Sequence, residues 1–130
     1  MTQKKFLVLG SNSFSGSNFI KKTLESGYKV FGISRSEQPN SVFLPYLWGK
    51  NNTNINLTDK FNFAKLNLNS ELDLILEIID TFRPNFIVNF AAQGMVAESW
   101  QNPTQWYTTN LVSQVEFHDQ IRKKAFLEKY

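Results

Sequence analysis

The chain has 130 residues, the size of a single domain. Its 42% hydrophobic and 19% charged residues exclude a disordered tail and a collagen-like or coiled-coil chain. It contains no cysteine, which excludes disulfides and thiolate metal sites and favours a cytoplasmic location. The net charge of +3 comes from short basic clusters, which we interpret as solvated surface rather than a nucleic-acid interface. We expect neither a membrane span nor a signal peptide, because no apolar run is long enough.

The start of the chain predicts a strand, a helix and a second strand. Residues 5–9 (KFLVL) form a continuous apolar run, which is typical of a strand buried on both faces. Residues 15–26 carry apolar side chains at helical spacing, and Gly27 supplies the stop. Residues 28–33 read as a second strand, so this segment predicts a right-handed βαβ unit.

The rest of the chain continues the alternation after an irregular stretch rich in proline and asparagine at residues 37–60. Residues 61–66 predict a third strand, and Ser70 opens a helix in which Ser70-x-x-Asp73 can act as a capping box. Pro84 stops this helix. Residues 86–90 predict a fourth buried strand, and a last helix is expected over residues 111–127.

Strands that alternate with helices predict an α/β fold with a Rossmann-like, doubly wound parallel sheet in the strand order 3-2-1-4. We expect this sheet to be truncated after the fourth strand, within one dinucleotide-binding domain over residues 1–130. The outer edge of the fourth strand would then be exposed and apolar. We therefore expect a homo-oligomer or self-association through that edge.

A glycine-bounded loop connects the first strand to the first helix and predicts a phosphate site. Gly10 allows the tight turn at the strand end, and Gly16 lets the helix start pack closely and a ligand approach. The helix N-terminus offers free N–H groups and a partial positive charge to a pyrophosphate. We therefore expect Gly10, Ser13, Phe14, Ser15 and Gly16 to bind a dinucleotide cofactor. The alternative is a purely structural turn.

The end of the second strand predicts which dinucleotide binds. An acidic residue here would favour NAD, but the sequence has Arg35 flanked by Ser34 and Ser36. A guanidinium can stack on adenine and pair with a 2′-phosphate through two hydrogen bonds. Ser34 and Arg35 therefore favour NADP as the cofactor, with NAD as the close alternative. A surface arginine without a ligand role is the third interpretation.

Three segments resemble the extended short-chain dehydrogenases/reductases, the NAD(P)-dependent nucleotide-sugar epimerases and 4,6-dehydratases. Gly10-x-x-Ser13-x-x-Gly16 is similar to their Gly-x-x-Gly-x-x-Gly loop, with Ser13 in place of the middle glycine. Residues 83–93 (RPNFIVNFAAQ) resemble their Arg-Pro-Asp, buried strand and His-Leu-Ala-Ala-Gln segment. Gly-Ile-x-Arg at residues 32–35 is similar to the NADP-using GDP-mannose 4,6-dehydratases. The resemblance extends over nearly the whole chain except about residues 40–60.

The resemblance implies further site residues at the later strand ends. Asn67, in place of an acidic residue, and Leu68 would lie against the adenine. The backbone around Ala91, Ala92 and Gln93 would lie close to the cofactor. Asn110 would contact the cofactor region, or simply cap the last helix. Gly94, at a departure from the family pattern, and Ser99, which matches it, would face a nucleotide-sugar substrate.

The family's catalytic tyrosine and lysine, spaced Tyr-x-x-x-Lys, have no counterpart on a predicted helix. The spacing occurs only at Tyr46 and Lys50, in the irregular stretch, and we interpret it as coincidence. No catalytic residue and no metal site is predicted. We therefore expect the cofactor-binding N-terminal part of a longer dehydratase or epimerase, inactive by itself. The alternatives are a complete non-catalytic NAD(P)-binding module or regulator, and a nucleotide-binding fold recruited as a scaffold.

Overall fold

The computed structural model describes residues 3–51, 57–92 and 96–130 of the chain. Four strands form one sheet in which all pairings are parallel, in the order β3-β2-β1-β4. They are β1 (Lys5–Leu9), β2 (Lys29–Ser34), β3 (Phe61–Lys65) and β4 (Phe86–Asn89). This confirms the predicted strand order and the Rossmann-like fold class.

The alternation of side chains along β1 places a hydrophobic core on each face of the sheet. Leu7 and Leu9 lie in one core with Phe117, beneath helix α2 (Leu72–Phe82) and helix α5 (Ser113–Ile121). Val8 lies in the other core. Helix α1 (Phe14–Glu25) covers that second face, together with the 3-10 turn at Pro45–Asn51; further 3-10 turns lie at Ser41–Phe43 and Leu57–Lys60. The irregular stretch therefore contributes to the core, since Leu44 and Tyr46 are buried in it.

The two ends of α2 show one wrong prediction and one confirmed prediction. The capping box of Ser70 and Asp73 is wrong, because α2 begins at Leu72 with Glu71 at the N-cap and without a side-chain cap. The Glu71 carboxylate instead accepts a hydrogen bond from the Asn67 N–H at 3.0 Å. Pro84 does stop the helix: Arg83 adopts the left-handed conformation, with φ of 52°, immediately before it.

The chain after β4 forms several short helical segments rather than one helix over residues 111–127. These are α3 (Val96–Gln101), α4 (Pro103–Tyr107), a π-helical turn (Thr108–Val112) and α5 (Ser113–Ile121). Asn110 therefore lies inside the π-helical turn and does not cap a helix, which corrects the prediction. The last helix ends at Ile121, and the next residues turn back toward the sheet. None of the helices among the described residues is both long and apolar enough to cross a membrane.

The outer edge of β4 is partly covered, which corrects the expectation of a fully exposed edge. Phe86 and Lys129 form a parallel bridge, and the Ile87 N–H donates to the Lys129 carbonyl at 3.1 Å. The Asn85 carbonyl accepts from the Glu128 N–H at 2.7 Å. The covering residues follow the turn after α5, so residues 128–129 run beside the beginning of β4 and supply hydrogen bonds to that part of its outer edge.

Candidate functional site

A cleft of about 270 Å³ lies along the carboxyl ends of the four strands. Ligands of open α/β sheets bind at this edge, next to the point where the strand order reverses, which here is between β1 and β4. Arg35 is the only charged residue among those that line the cleft in the described part of the chain. The lining residues are Leu9, Gly10, Asn12, Ser13, Ile33, Ser34, Arg35, Ser36, Leu66, Asn67, Leu68, Asn69, Ile75, Phe90, Ala91, Ala92 and Thr109.

The two glycines of the loop are required by close packing between β1, β4 and the start of α1. Gly10 has a φ of 78°, and a Cβ there would lie 2.7 Å from the Phe90 carbonyl carbon. A Cβ on Gly16 would overlap the carbonyl oxygen of Gly10. Substitution at either glycine would force backbone to move, so the loop holds the α1 N-terminus directly over the sheet edge.

Ser13 caps α1 and takes part in the turn. Its backbone is extended, with φ of −72° and ψ of 162°, so the position does not need a glycine. The hydroxyl donates to the Gly10 carbonyl at 2.7 Å and accepts from the Gly16 N–H at 3.0 Å. A helix leaves its first N–H groups without intrahelical partners. With Gly16 capped by Ser13, the N–H groups of Phe14 and Ser15 remain for an anion.

Asn12 connects this loop to the turn after β2. Its backbone N–H donates to the Ser34 hydroxyl at 2.9 Å. Its side-chain Nδ2 donates to the carbonyls of Ser36 and Glu37, each at 3.0 Å. Its Oδ1 is buried without a partner, which costs about 1–3 kcal/mol in folded proteins. The Asn12 carboxamide therefore stabilises the turn through its two N–H donors, while its oxygen stays buried without a hydrogen bond.

The charges at the end of β2 are separated by this turn. Arg35 is exposed and lines the cleft, and no described residue forms a hydrogen bond or ion pair with its guanidinium. Glu37 does not line the cleft; its carboxylate lies 3.8 Å from the Lys65 ammonium. The ribose end of the cleft therefore presents a free cation and no described carboxylate.

Two asparagines after β3 have different roles. Asn67 lines the cleft, and its Oδ1 accepts a hydrogen bond from the Asn69 N–H at 2.9 Å. The Asn69 side chain is fully engaged: Nδ2 donates to the Thr109 hydroxyl at 2.7 Å, and Oδ1 accepts from the Ser113 hydroxyl. Asn69 thereby joins the loop after β3 to the π-helical turn. π-Helical turns often occur at functional sites, and this one places Thr109 on the cleft.

The chain after β4 is held by side chains rather than by a further strand. The Asn89 Oδ1 accepts from the Ala91 N–H at 2.9 Å, and the Gln114 Nε2 donates to the Ala91 carbonyl at 3.1 Å. Asn89 also donates to Gln114 through Nδ2. These bonds position Ala91 and Ala92, whose small side chains line the cleft beside Gly10.

Eight of the predicted site residues line the cleft together: Gly10, Ser13, Ser34, Arg35, Asn67, Leu68, Ala91 and Ala92. Phe14, Ser15 and Gly16 form the first turn of α1 and are not among the lining residues, and the Phe14 side chain is 85% exposed. Ser99 and Asn110 are not among the lining residues. Gln93 and Gly94 lie outside the described residues.

Four polar lining residues were not predicted: Asn12, Ser36, Asn69 and Thr109. Asn12 lies within the predicted glycine loop, so its position near the cleft could be predicted from the sequence. Its hydrogen bonds to the turn after β2 could not. Asn69 and Thr109 come together across forty residues of sequence. For Asn69, the local sequence offered one signal: it is a polar residue two positions after Asn67, which was a predicted site residue.

Tyr46 lies on the other face of the sheet and cannot act in the cleft. Its side chain is buried against Phe61, and its hydroxyl accepts from Gln38. Burial raises the pKa of the Tyr46 hydroxyl, and the hydrogen bond from Gln38 only partly offsets this shift. Among residues 3–51, 57–92 and 96–130, no group of three or more histidine, aspartate or glutamate side chains could hold a metal ion.

The fold and the site together define a Rossmann-like protein with a glycine-bounded loop at its sheet switch point. The UDP-Glc/GlcNAc 4-epimerase from Campylobacter jejuni shares this fold, with a TM-score of 0.74 and 20% identity over 95% of this chain and 35% of that one. The dTDP-glucose 4,6-dehydratase from Bacillus anthracis, solved in complex with NAD, has a TM-score of 0.70 and 22% identity over 97% of this chain and 36% of that one.

Sequence comparison identifies the family. The model of the GDP-mannose 4,6 dehydratase family matches residues 7–129, and the chain belongs to this family. It is 32% identical over 112 residues to Protein CapI of Staphylococcus aureus, covering 83% of this chain and 31% of that protein. It is 25% identical over 122 residues to UDP-glucose 4-epimerase of Pisum sativum, covering 94% and 34%. The chain thus spans about a third of the length of these curated relatives.

Proposed function

We propose that the cleft binds a nicotinamide adenine dinucleotide and that the chain is the cofactor-binding portion of a nucleotide-sugar 4,6-dehydratase or epimerase. The observation that carries this proposal is the start of α1, held over the switch point by Gly10 and Gly16 and continuous with the cleft that reaches Arg35. The names of the curated relatives support the nucleotide-sugar class. A cytoplasmic location belongs to the same proposal.

The residues present fit such a cofactor along its length. The free N–H groups of Phe14 and Ser15 would hold the pyrophosphate, with the partial positive charge of α1. Arg35 would meet the adenosine ribose at the end of β2. The small side chains of Ala91 and Ala92 would let the cofactor approach the end of β4. When bound, the nicotinamide supplies a hydride acceptor for C4 of the sugar.

The proposed cofactor is NADP rather than NAD. Arg35 has no partner among the described residues and lines the cleft, whereas Glu37, the nearest acid along the chain, is turned toward Lys65. A guanidinium with free N–H groups favours a phosphate, and a carboxylate would favour a ribose hydroxyl. NAD is the competing candidate because the Bacillus anthracis dehydratase was solved with NAD.

We expect the chemical step to need catalytic residues that are not among those described for this chain. Tyr46 is buried away from the cleft, so it cannot exchange a proton with a substrate there. We expect this chain alone to bind cofactor without turning over a nucleotide sugar. Measurable dehydration or epimerisation by the 130-residue chain would contradict this part of the proposal.

Titration with NADPH and NADH, followed by calorimetry, tests both the function and the cofactor preference. We expect saturable binding of both, with NADPH tighter. Substitution Arg35→Ala should weaken NADPH by about tenfold or more, since a hydrogen bond to a charged group contributes about 1.5–3 kcal/mol. NADH affinity should change much less.

Arg122→Ala is the matched control, because Arg122 is exposed, pairs with Asp119 at the end of α5 and does not line the cleft. It should leave both affinities unchanged. If neither NADPH nor NADH binds the wild-type chain, the proposed function is refuted. If Arg35→Ala weakens the binding of NADPH and NADH equally, the guanidinium stacks on the base and does not bind the 2′-phosphate.

A further inference from the structure

Asn69 joins the loop after β3 to the π-helical turn Thr108–Val112. Its Nδ2 donates to the Thr109 hydroxyl at 2.7 Å, and its Oδ1 accepts from the Ser113 hydroxyl. Thr109 lies inside the turn, Ser113 directly follows it, and both residues are buried. Because hydrogen bonds are stronger in the low-dielectric interior, a single carboxamide holds the beginning and the end of this turn against the loop after β3.

The π-helical turn is joined by side chains to the segment after β4 as well. The Gln114 Nε2 donates to the Thr109 carbonyl and to the Ala91 carbonyl, each at 3.1 Å. The Asn89 side chain donates to Gln114 and accepts from the Ala91 N–H at 2.9 Å. Ala91 lies beyond the end of β4, so side chains hold both its N–H and its carbonyl. The position of Ala91 therefore depends on Asn69 through Thr109 and Gln114.

The two ends of this hydrogen-bond chain lie on opposite sides of the cleft. β3 and β4 are the outer strands of the sheet, Asn69 follows β3, and Ala91 follows β4. In the proposed complex the pyrophosphate lies at the loop after β1 and the adenosine half lies toward β2. The nicotinamide half then extends over the end of β4. Asn69 thus lies on the adenosine side of the cleft and holds a residue on the nicotinamide side.

We propose that Asn69 is a positioning residue for the nicotinamide half of the cofactor, acting through the π-helical turn on the backbone at Ala91. This inference rests on the proposed dinucleotide binding. Without the Asn69 carboxamide, Thr109 and Ser113 lose a shared partner, and the segment after β4 is no longer held in one conformation. A cofactor must then order this segment when it binds, at a cost in conformational entropy. The adenosine half meets the loops after β1 and β2 and does not bear that cost.

The test compares NADPH with adenosine 2′,5′-bisphosphate, which lacks the nicotinamide half, on the full chain. Calorimetry measures the affinity for NADPH, and displacement of NADPH measures the affinity for the bisphosphate. Asn69→Ala should weaken NADPH by about tenfold, the factor expected when the backbone of one residue must be ordered on binding. The affinity for the bisphosphate should change less than about twofold. A direct contact between Asn69 and the adenosine would instead weaken both ligands.

Asn69→Asp is the rescue variant, because each of its two side-chain oxygens can accept from one hydroxyl, those of Thr109 and Ser113. It should restore the wild-type ratio of the two affinities, even where its charge weakens both ligands. Asn62→Ala is the matched control, since Asn62 is exposed on β3 and does not line the cleft. It removes the same side chain from a neighbouring position and should leave both affinities unchanged.

Hydrogen exchange on the ligand-free chain provides a readout that does not depend on binding. The Ala91 amide, which donates to Asn89, should lose protection by about tenfold in Asn69→Ala and regain it in Asn69→Asp. The Leu66 amide donates to the Ser34 carbonyl at 2.9 Å and reports the loop after β3 itself. Its protection should be unchanged in both variants.

Equal weakening of NADPH and the bisphosphate by Asn69→Ala would overturn the inference and leave the proposed function intact. Unchanged NADPH affinity, or a ratio that Asn69→Asp does not restore, would overturn it in the same way. Loss of protection at Leu66 as well as Ala91 would assign the effect to general loosening of the fold. If neither NADPH nor NADH binds the wild-type chain, the proposed function fails and this inference fails with it.

Discussion

Ser13 shows how one hydroxyl can stabilise a helix and weaken an anion site together. Its Oγ occupies the Gly16 N–H, which is one of the donors that a helix N-terminus would otherwise offer to a phosphate. The extended backbone at this position requires no glycine, so the side chain was free to take the capping role. The cap favours the fold, and the loss of a donor would disfavour the proposed cofactor.

Substitution Ser13→Gly should therefore change stability and affinity in opposite senses. Loss of the cap to glycine should lower the free energy of unfolding by only a few tenths of a kcal/mol. Release of the Gly16 N–H should tighten NADPH binding by about threefold to tenfold, the value of one hydrogen bond. Thermal unfolding and calorimetry measure the two effects.

Ser13→Ala is the companion variant. It also frees the Gly16 N–H but lacks the flexibility of glycine, so it should cost about 1 kcal/mol of stability while tightening NADPH to a similar extent. Unchanged or weaker NADPH binding in both variants would show that the Gly16 N–H does not contact the cofactor.

At this scale, the sequence predicted residues whose role follows from their position beside a strand end. Gly10 and Arg35 belong to this group, because a buried strand followed by a turn determines where they lie. Asn12 and Thr109 do not. Their roles depend on hydrogen bonds to the turn after β2 and to Asn69, which form only when separate elements pack together.

Among the elements, the C-terminal segment is tied to both the sheet edge and the start of β1. The Glu128 carboxylate accepts hydrogen bonds from Lys4 and, at 3.0 Å, from the Asn85 Nδ2. The Lys4 hydrogen bond is the main reason that the pKa of Glu128 lies below its ordinary value, with a smaller contribution from Asn85. Ionised Glu128 therefore favours the segment that covers β4.

Acid should loosen this segment before it unfolds the protein. Because the folded-state pKa of Glu128 is lowered, its contribution is complete above the ordinary glutamate pKa and is lost as pH falls through the lowered value. Hydrogen exchange of the Ile87 amide, which donates to Lys129, should lose protection over that interval relative to Leu7 in the sheet centre.

Glu128→Gln serves as the control for this titration. The variant should show reduced Ile87 protection already at neutral pH, and no further change across the interval in which wild-type Glu128 titrates. Protection that follows the same pH curve in both proteins would assign the effect to another group.

The ends of the helices are where local sequence patterns predicted the structure least well. The stop at Pro84 was predicted because the residue before a proline avoids helical backbone. The start of α2 was not, because Glu71 rather than Ser70 is at the N-cap, and the Ser70 N–H donates to the Asn67 carbonyl in a turn. The single helix over 111–127 failed for a tertiary reason: the π-helical turn inserts before α5, and the chain leaves the helix at Ile121 to reach β4.

In the whole molecule, the strongest prediction was the layered fold. The continuous apolar runs of β1 and β4 and their alternation with helices indicated a parallel sheet covered on both faces. The edge of that sheet was harder to predict, since it depended on where the last residues fold. Lys129 covers the beginning of β4, while Val88 and Asn89 pair only with β1 in the described residues.

The uncovered part of this edge leads us to expect self-association. Val88 lies in a groove with Phe6, Phe86 and Tyr130, and an apolar strand edge is a template for pairing with a second chain. Sedimentation velocity should show a species larger than the monomer as concentration rises. Val88→Lys should suppress it, because a charged side chain beside the edge opposes strand pairing.

Val115→Lys distinguishes this contact from one through α5. Val115 is 60% exposed and near Leu111 and Val112, which are also exposed, so this helix offers a second apolar surface. If the β4 edge is the contact, Val115→Lys leaves the association intact and only Val88→Lys abolishes it. The reverse pattern would assign the contact to α5, and a monomer at every concentration would contradict self-association by either surface.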